Sequence, residues 1–182
     1  TGSRAEYGLL YLTLKAITSS KNLKLKLIAT GMHLSNKYGN TYKQIEKDGF
    51  KIDKKIYLPI KSDNKRYEIP KITGKAMEGF ANTYRQLNPN IIILLGDRYE
   101  IFAAAFSALS MNIPIAHIHG GEKTLGSIDE HMRHSITKMS TLHFVSSNSH
   151  RKRVIQLGEM PKNIYHVGAL AYESILAKKN IN

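Results

Sequence analysis

The strongest constraint on the fold is an uninterrupted run of five branched aliphatic residues at positions 91–95. A run that is apolar on both faces is typical of a central parallel strand that helices cover on both sides. An Ala-rich segment with helical spacing follows at residues 99–111, and a second apolar run follows at residues 115–118. This succession of strand, helix and strand predicts a parallel sheet within an α/β fold.

The same alternation continues over the whole chain. Further strands are predicted at residues 25–29, 52–58, 142–145 and 164–167, and helices at residues 5–17, 42–47, 75–87, 129–139 and 149–157. Repeated β-α units with short connections predict a Rossmann-like fold, in which a parallel sheet carries helices on both faces. No internal repeat or Pro/Gly/Ser-rich linker divides residues 1–182, so we predict one domain. Because the turn at residues 1–3 has no strand before it, we expect the first strand of this domain to be missing from the start.

Composition excludes several classes of protein. Hydrophobic residues make up 42% of the chain, enough for a globular core, and there is no cysteine for a disulfide or a thiolate metal site. The 27 Lys and Arg exceed the 14 Asp and Glu, but only residues 151–153 form a tight basic run, so we expect no nucleic-acid partner. No apolar run is long enough for a membrane span, and the first six residues do not resemble a signal peptide. We therefore expect a soluble cytoplasmic protein.

Ligands of open parallel α/β sheets bind beyond the carboxyl ends of the strands, and three polar segments occupy such positions. The first is the turn at residues 2–6, where the backbone N–H groups of a helix start, including Gly2, and the guanidinium of Arg4 could hold a phosphate. A simple helix cap is the alternative for this turn. The second is Asp97, which directly follows the run at 91–95 and either faces the crevice or caps the next helix.

The third segment, at residues 117–122, is the richest in chemistry. His117 and His119 are two residues apart on a predicted strand, so we expect them to share one face. Gly120 and Gly121 allow a tight turn and a close approach of the backbone to a ligand.

The helix predicted at residues 129–139 brings further polar side chains to the same region. Its buried face is predicted to carry three apolar side chains: Met132, Ile136 and Met139. Asp129 lies near that face in the first turn, one turn from Arg133, so an ion pair between these two is the simplest alternative to a functional role. Glu130 and His134 are related by the same spacing.

Two kinds of chemistry fit these residues. A divalent metal could be held by four side chains, those of His117, His119, Asp129 and His134. Alternatively, Asp97, Glu122 and Asp129 act as acids and bases without a metal, assisted by histidines, because crowded carboxylates do not all ionise together. We favour the second interpretation, because His117 lies inside the strand, and we predict neither a metal nor a cofactor.

Several motifs in consistent order resemble the hydrolysing UDP-N-acetylglucosamine 2-epimerases, which begin sialic-acid synthesis. The matching segments are residues 1–8, 30–35, 96–100, 117–122, 129–138, 156–159 and 167–168. The resemblance implies two Rossmann-like domains arranged as in GT-B glycosyltransferases, with the active site between them. On this reading residues 1–182 are the N-terminal domain, the C-terminal nucleotide-binding domain is absent, and we expect this domain alone to be inactive.

The resemblance also implies a reaction and a set of site residues. UDP-N-acetylglucosamine would lose the proton at C2, expel UDP and add water, which gives N-acetylmannosamine. We assign Arg4 to the diphosphate, and Asp97, Glu122 and Asp129 to acid–base or sugar-contacting roles. His119, which stands where many relatives carry glutamate, is a fourth catalytic candidate. The candidate substrate-binding residues are Gly2, Arg4, Gly120, Gly121, Arg133 and His134.

Other functions remain open at this point. The substrate could instead be UDP-N,N'-diacetylbacillosamine, a different UDP-sugar that would undergo the same reaction in legionaminic-acid pathways. A GT-B glycosyltransferase shares the architecture without needing the carboxylates, and a nucleotide-binding regulatory module would need no catalysis. An NAD-dependent dehydrogenase is disfavoured because the glycine fingerprint is missing. The expected partners are a UDP-sugar and, from the family resemblance, further copies of the same chain, with no membrane partner.

Overall fold

Six parallel strands form two sheets in the computed structural model of the protein, which describes residues 1–60 and 67–172. The smaller sheet pairs β1 (Ile28–Thr30) with β2 (Lys54–Ile56). The larger sheet has the strand order β3-β4-β5-β6, and every pairing in it is parallel. Its strands are β3 (Ile92–Leu95), β4 (Ile115–Ile118), β5 (Leu142–Val145) and β6 (Ile164–His166).

Helices connect these strands, as the sequence predicted. They are α1 (Arg4–Ser19), α2 (Tyr42–Lys47), α3 (Glu68–Leu87), α4 (Tyr99–Ser110), α5 (Ile128–Met139) and α6 (Asn148–Gln156), with short 3-10 helices at Gly31–Leu34, Asn36–Tyr38 and Pro161–Asn163. Helix α3 begins seven residues before the predicted start. Pro70 lies in its first turn, where the missing N–H would have had no partner within the helix, so this proline does not stop it.

The core occupies both faces of the larger sheet. Neighbouring strand residues point to opposite faces, and Leu94 and Leu95 accordingly belong to two different apolar clusters. The cluster of Leu94 contains side chains from α3, α4 and α5, whereas the cluster of Leu95 contains side chains from α1 and α2. The Rossmann-like prediction of a parallel sheet with helices on both faces is therefore confirmed.

Thr1 lies alongside β1 in a strand-like position. Its amino group donates a hydrogen bond to the carbonyl of Ile28 at 2.9 Å, and its own carbonyl accepts one from the N–H of Thr30 at 3.1 Å. The chain then turns into α1, which places the start of that helix beside the carboxyl end of β1. The expectation of a preceding strand stays a prediction.

The buried face of α5 differs from the predicted one. Arg133, Ile136 and Thr137 are buried, and Met139 is partly buried and packs against the core, whereas Met132 is partly buried and belongs to no apolar cluster, so the prediction is wrong for Met132. The reason is that Arg133 and Thr137 have polar partners in the interior, described below, and a polar group with a partner can be buried at little cost. Within residues 1–60 and 67–172, no helix is long and apolar enough to cross a membrane.

Candidate active site

An open cleft of about 290 Å³ lies at the carboxyl ends of β3 and β4, beside the start of α1. Its titratable lining residues are Glu6, Asp97, Arg98, His119, Glu122 and Arg133. The structure thus brings together four of the predicted site residues, two carboxylates, one histidine and one guanidinium, from segments far apart in the sequence. This is the edge of the sheet where ligands of parallel α/β folds bind.

Asp97 and Arg133 form an ion pair inside this cleft. Asp97 follows a turn at Gly96, whose φ is +89°, and its Oδ2 accepts a hydrogen bond from Nη2 of Arg133. The same Nη2 donates to Oγ1 of Thr124 at 2.9 Å, whereas Nη1 is buried and has no partner among the described residues. Arg133 therefore pairs with Asp97 rather than with Asp129, and it retains a donor that an anionic ligand could satisfy.

His117 supports this arrangement from below the cleft. The side chain is fully buried, and its Nε2 donates a hydrogen bond to the carbonyl of Gly96 at 3.0 Å. Burial lowers its pKa to about 4, so the ring is neutral at pH 7, and its Nδ1 lies 3.2 Å from Oγ1 of Thr137, whose hydroxyl is also 3.0 Å from the carbonyl of Arg133. His117 therefore positions the turn that carries Asp97 and lies outside the cleft lining.

The prediction that His117 and His119 share one strand face is wrong. Strand β4 ends at Ile118, and His119 adopts a left-handed backbone conformation with a φ of +65°. Its ring lines the cleft, where Nε2 accepts a hydrogen bond from the N–H of Leu170 at 3.5 Å. The proton is then on Nδ1, which lies 3.3 Å from Oε1 of Glu122. Burial lowers the pKa of His119, which favours this neutral donor form.

Glu122 has two further neighbours that the sequence reasoning missed. Its Oε1 accepts a hydrogen bond from the hydroxyl of Ser146 at 2.7 Å, and Ser146 Oγ lies 2.8 Å from Nδ1 of His150. Ser146 directly follows β5, so the rule that points to the carboxyl ends of strands could have found it.

The turn before α1 is a helix cap. Ser3 Oγ accepts a hydrogen bond from the N–H of Glu6 at 3.4 Å, and Oε2 of Glu6 accepts one from the N–H of Gly2 at 2.7 Å. The N–H of Gly2, predicted to bind phosphate, is therefore already used. A Cβ on Gly2 would lie 2.8 Å from Oε1 of the buried Glu100, which explains the glycine by packing. Arg4 is exposed and has no ion pair among the described residues.

The remaining predicted residues do not line the cleft. Asp129 is half-buried one turn before Arg133, on the same face of α5, and its carboxylate has no partner in the described part of the chain. His134 Nε2 lies 3.7 Å from Glu130, as the spacing predicted.

Gly120 and Gly121 are explained by close packing. A Cβ on Gly120 would lie 3.0 Å from Oγ1 of Thr137. A Cβ on Gly121 would lie 2.6 Å from the carbonyl oxygen of His150, and Gly121 has a φ of +78°. Both glycines therefore let the turn that carries Glu122 sit against helices α5 and α6.

The four side chains of the alternative metal site do not converge. His117 and His119 have the separate partners described above, and across residues 1–60 and 67–172 no three His, Asp or Glu side chains form a group that could hold a metal ion. The cleft instead presents carboxylates, a neutral histidine and arginines, which suits proton transfer on an anionic ligand.

Comparisons with known proteins agree on one family. A family model described as UDP-N-acetylglucosamine 2-epimerase matches residues 15–182. The GDP/UDP-N,N'-diacetylbacillosamine 2-epimerase (hydrolysing) of Campylobacter jejuni is 45% identical over 100% of this chain and 46% of that protein. The polysialic acid biosynthesis protein P7 of Escherichia coli is 43% identical over 97% of this chain and 45% of its own length. The chain thus spans about half the length of the curated relatives it matches.

A solved structure supports the fold. The crystal structure of a UDP-GlcNAc 2-epimerase from Neisseria meningitidis, bound to UDP-GlcNAc, matches with a TM-score of 0.85 at 16% sequence identity. The match covers 98% of this chain and 48% of that one. Such neighbours have a GT-B-like fold, so the predicted fold class, half of a GT-B-type architecture, is confirmed.

Proposed function

The chain belongs to the UDP-N-acetylglucosamine 2-epimerase family, and we propose that the protein is a hydrolysing 2-epimerase that converts UDP-N-acetylglucosamine to N-acetylmannosamine and UDP, for sialic-acid-type sugar synthesis. The observation that carries the proposal is the meeting of Asp97, Glu122, His119 and Arg133 in one cleft. A cytoplasmic location and a homo-oligomeric assembly belong to the same proposal.

The reaction requires two proton transfers at one carbon and the departure of an anion. A base takes the C2 proton, the C2–H electrons form a C1=C2 double bond, and UDP leaves with the electrons of the C1–O bond. Water then adds to C1, and an acid delivers a proton to the opposite face of C2. Each positioned acid or base contributes roughly 10²–10⁴-fold in rate.

We assign removal of the C2 proton to Glu122. The Ser146 hydroxyl donates a hydrogen bond to its Oε1, and His119 Nδ1 lies 3.3 Å from the same oxygen. Its Oε2 has no partner among the described residues and remains available to the sugar. Asp97, held by Arg133, and Asp129 are assigned to the second proton transfer and to sugar contacts.

The leaving diphosphate needs positive charge and donors. Arg133 lines the cleft and keeps one buried Nη1 without a partner among the described residues. Arg4, exposed at the start of α1, is assigned to the diphosphate at the mouth of the cleft, and His134 is assigned there with it. Guanidinium groups suit this role because their planar donors match phosphate oxygens.

A second candidate substrate is UDP-N,N'-diacetylbacillosamine. The Campylobacter jejuni relative carries the name of an epimerase for that sugar, and the reaction at C1 and C2 is the same. The two sugars differ at C4 and C6, away from the carbons where the carboxylates act.

The test is proton NMR of the full-length protein incubated in D₂O with each UDP-sugar in turn. We expect free UDP and a 2-epimerised sugar that carries deuterium at C2. The sugar with the higher kcat/KM identifies the substrate. Release of UDP without deuterium at C2 would exclude the elimination mechanism, and transfer of the sugar to an acceptor would indicate a glycosyltransferase.

A further inference from the structure

We propose that Ser146 and His150 form a proton relay, which connects Glu122 to solvent and returns it to its ionised form after each catalytic turnover. The inference rests on the proposed function, because it concerns the fate of the proton that Glu122 takes from C2. Neither residue lines the cleft.

The three side chains form a continuous path from the cleft outward. Glu122 lines the cleft, and its Oε1 is 2.7 Å from the hydroxyl of Ser146. Ser146 Oγ is 2.8 Å from Nδ1 of His150. The His150 side chain is 25% exposed, and its Nε2 has no hydrogen-bond partner in the described part of the chain, so the path ends at water.

Backbone contacts hold this path in place. Gly121, next to Glu122, packs so closely on α6 that a Cβ there would meet the carbonyl of His150 at 2.6 Å. Arg153 donates a hydrogen bond from Nη1 to the carbonyl of Gly121. The first turn of α6 is capped by Ser147, whose Oγ accepts a hydrogen bond from the N–H of His150 at 3.2 Å.

The hydroxyl of Ser146 has one proton and two neighbours within hydrogen-bond distance, so it can occupy two arrangements. When Glu122 is ionised, Ser146 donates to Glu122 and His150 donates from Nδ1 to Ser146. When Glu122 is protonated on the oxygen facing Ser146, Glu122 donates to Ser146 and Ser146 donates to His150. His119 Nδ1 also faces Glu122, at 3.3 Å, but its other nitrogen is occupied by the N–H of Leu170, so it offers no path to solvent.

The reaction requires such a reset. The base that takes the C2 proton ends the turnover protonated, because the proton returned to C2 comes from the opposite face. Rotation of the Glu122 carboxyl group brings the protonated oxygen to Ser146. The proton passes from Glu122 to Ser146 while the hydroxyl proton passes to Nδ1 of His150. The imidazolium then loses its Nε2 proton to water, which leaves Glu122 ionised and His150 neutral with its proton on Nδ1. Before the next turnover the partly exposed ring swings out to water, gives up the Nδ1 proton and takes up one on Nε2, so that Nδ1 can accept a proton again.

A relay and a purely structural contact predict different kinetics. The reset follows the release of products, so its failure slows every turnover except the first and lowers kcat while leaving kcat/KM nearly unchanged. A side chain that only orients Glu122 would slow the first turnover as well.

The experiment is rapid-quench measurement of UDP release by the full-length protein and its variants. For Ser146→Ala and His150→Ala, we expect about one equivalent of UDP per active site at nearly the wild-type rate, then steady turnover slowed about tenfold or more. Ser146→Thr keeps the hydroxyl and should retain a wild-type steady rate. Ser149→Ala is the matched control. Ser149 is an exposed serine on α6, the helix that carries His150, and among the described residues its hydroxyl bonds only to that of Ser147. Added imidazole should raise the steady rate of His150→Ala in proportion to its concentration.

Three results would overturn the relay. One is that Ser146→Ala slows the first turnover as much as the later ones. Another is that steady turnover is unchanged in both alanine variants. The third is a Ser146→Thr rate as low as that of Ser146→Ala. If the wild-type protein releases no UDP from either sugar, the proposed function fails and the relay with it, whereas wild-type activity with unaffected variants rejects the relay alone.

Discussion

His117 donates a hydrogen bond from Nε2 to the carbonyl of Gly96 at 3.0 Å, so a fully buried histidine holds the turn that presents Asp97 to the cleft. This contact joins β4 to the loop after β3 at the edge where both strands end. It works with the neutral ring, and burial keeps the ring neutral by lowering its pKa to about 4.

We therefore expect acid to destabilise the protein through His117. Above pH 6.5 the ring is neutral in both the folded and the unfolded chain, and its contribution to stability is complete. As the pH falls from 6.5 to 4, the unfolded chain binds a proton that the folded one excludes, so the free energy of unfolding decreases. The lowering of the His117 pKa from 6.5 to about 4 corresponds to about 3 kcal/mol in the free energy of unfolding.

Urea denaturation between pH 4 and pH 7.5 measures this effect. The variant His117→Gln should be less stable at pH 7.5 by about 1–3 kcal/mol, but its stability should depend less on pH. His33, whose pKa burial also lowers to about 4, adds a separate contribution that both proteins share. Equal pH dependence in the two proteins would contradict the assignment.

Two glycines with the same backbone conformation should respond differently to alanine. Gly121 and Gly126 have φ values of +78° and +77°, but a Cβ on Gly121 would meet the carbonyl of His150 at 2.6 Å, whereas Gly126 faces open space. The free energy of unfolding of Gly126→Ala should therefore fall by only about 1–2 kcal/mol, the cost of the backbone strain that alanine adds. The free energy of unfolding of Gly121→Ala should fall by about 2–5 kcal/mol, because overpacking against α6 is added to the backbone strain. Chemical denaturation compares them, and equal losses would show that the turn can move away from α6.

The ion pair of Asp97 and Arg133 should show energetic coupling. Replacing Arg133 by Met leaves a partly buried carboxylate without its cation, so we expect a loss of about 2–5 kcal/mol in the free energy of unfolding. Asp97→Asn, Arg133→Met and the double variant together form a double-mutant cycle. The double variant should be more stable than the sum of the single losses predicts, by about 1–3 kcal/mol. Additive losses would mean that the two side chains act independently.

Substitution of a carboxylate in the site should lower kcat, whereas substitution of a carboxylate elsewhere should not. We expect Glu122→Gln and Asp97→Asn to lower kcat by roughly 10²–10⁴-fold, because each removes a group that transfers or stabilises charge at the sugar. Asp129→Asn should also lower kcat, because its carboxylate is assigned to the sugar and has no other partner among the described residues. Glu46→Gln is the control, since Glu46 pairs with Lys55 away from the cleft. Deuterium incorporation at C2 should be lost in Glu122→Gln, and its persistence would assign the base elsewhere.

Local patterns predicted the sheet well, because strand and helix periodicity depends on neighbouring residues. The runs at 91–95 and 115–118 correspond closely to β3 and β4, and the rule for parallel sheets identified Asp97 and Glu122 as residues of one edge. What the sequence did not predict are contacts between distant residues. The partner of Arg133 lies 36 residues away, and that of His117 at Thr137 lies 20 residues away.

Backbone geometry explains the other failures. His119 was expected to continue the strand, but its left-handed conformation turns the chain toward Glu122. Histidine adopts positive φ more often than most residues do, but such residues are a few per cent of all, so its presence alone does not predict the turn. The buried face of α5 was assigned from apolar residues alone, so Met132 was chosen over Arg133 and Thr137. Buried polar side chains can be recognised only once their partners are known.

The face of α5 that carries Arg133 and Thr137 has a consequence for how the protein can change over evolution. The two side chains are one helical turn apart, and both support the loop after β3. Arg133 contacts Asp97 directly, and Thr137 contacts His117, which bonds to Gly96. A rotation of α5 about its axis would displace both supports together. Substitutions that shift this helix are therefore constrained as a set, whereas its exposed positions, such as His131 and Ser135, can diverge freely.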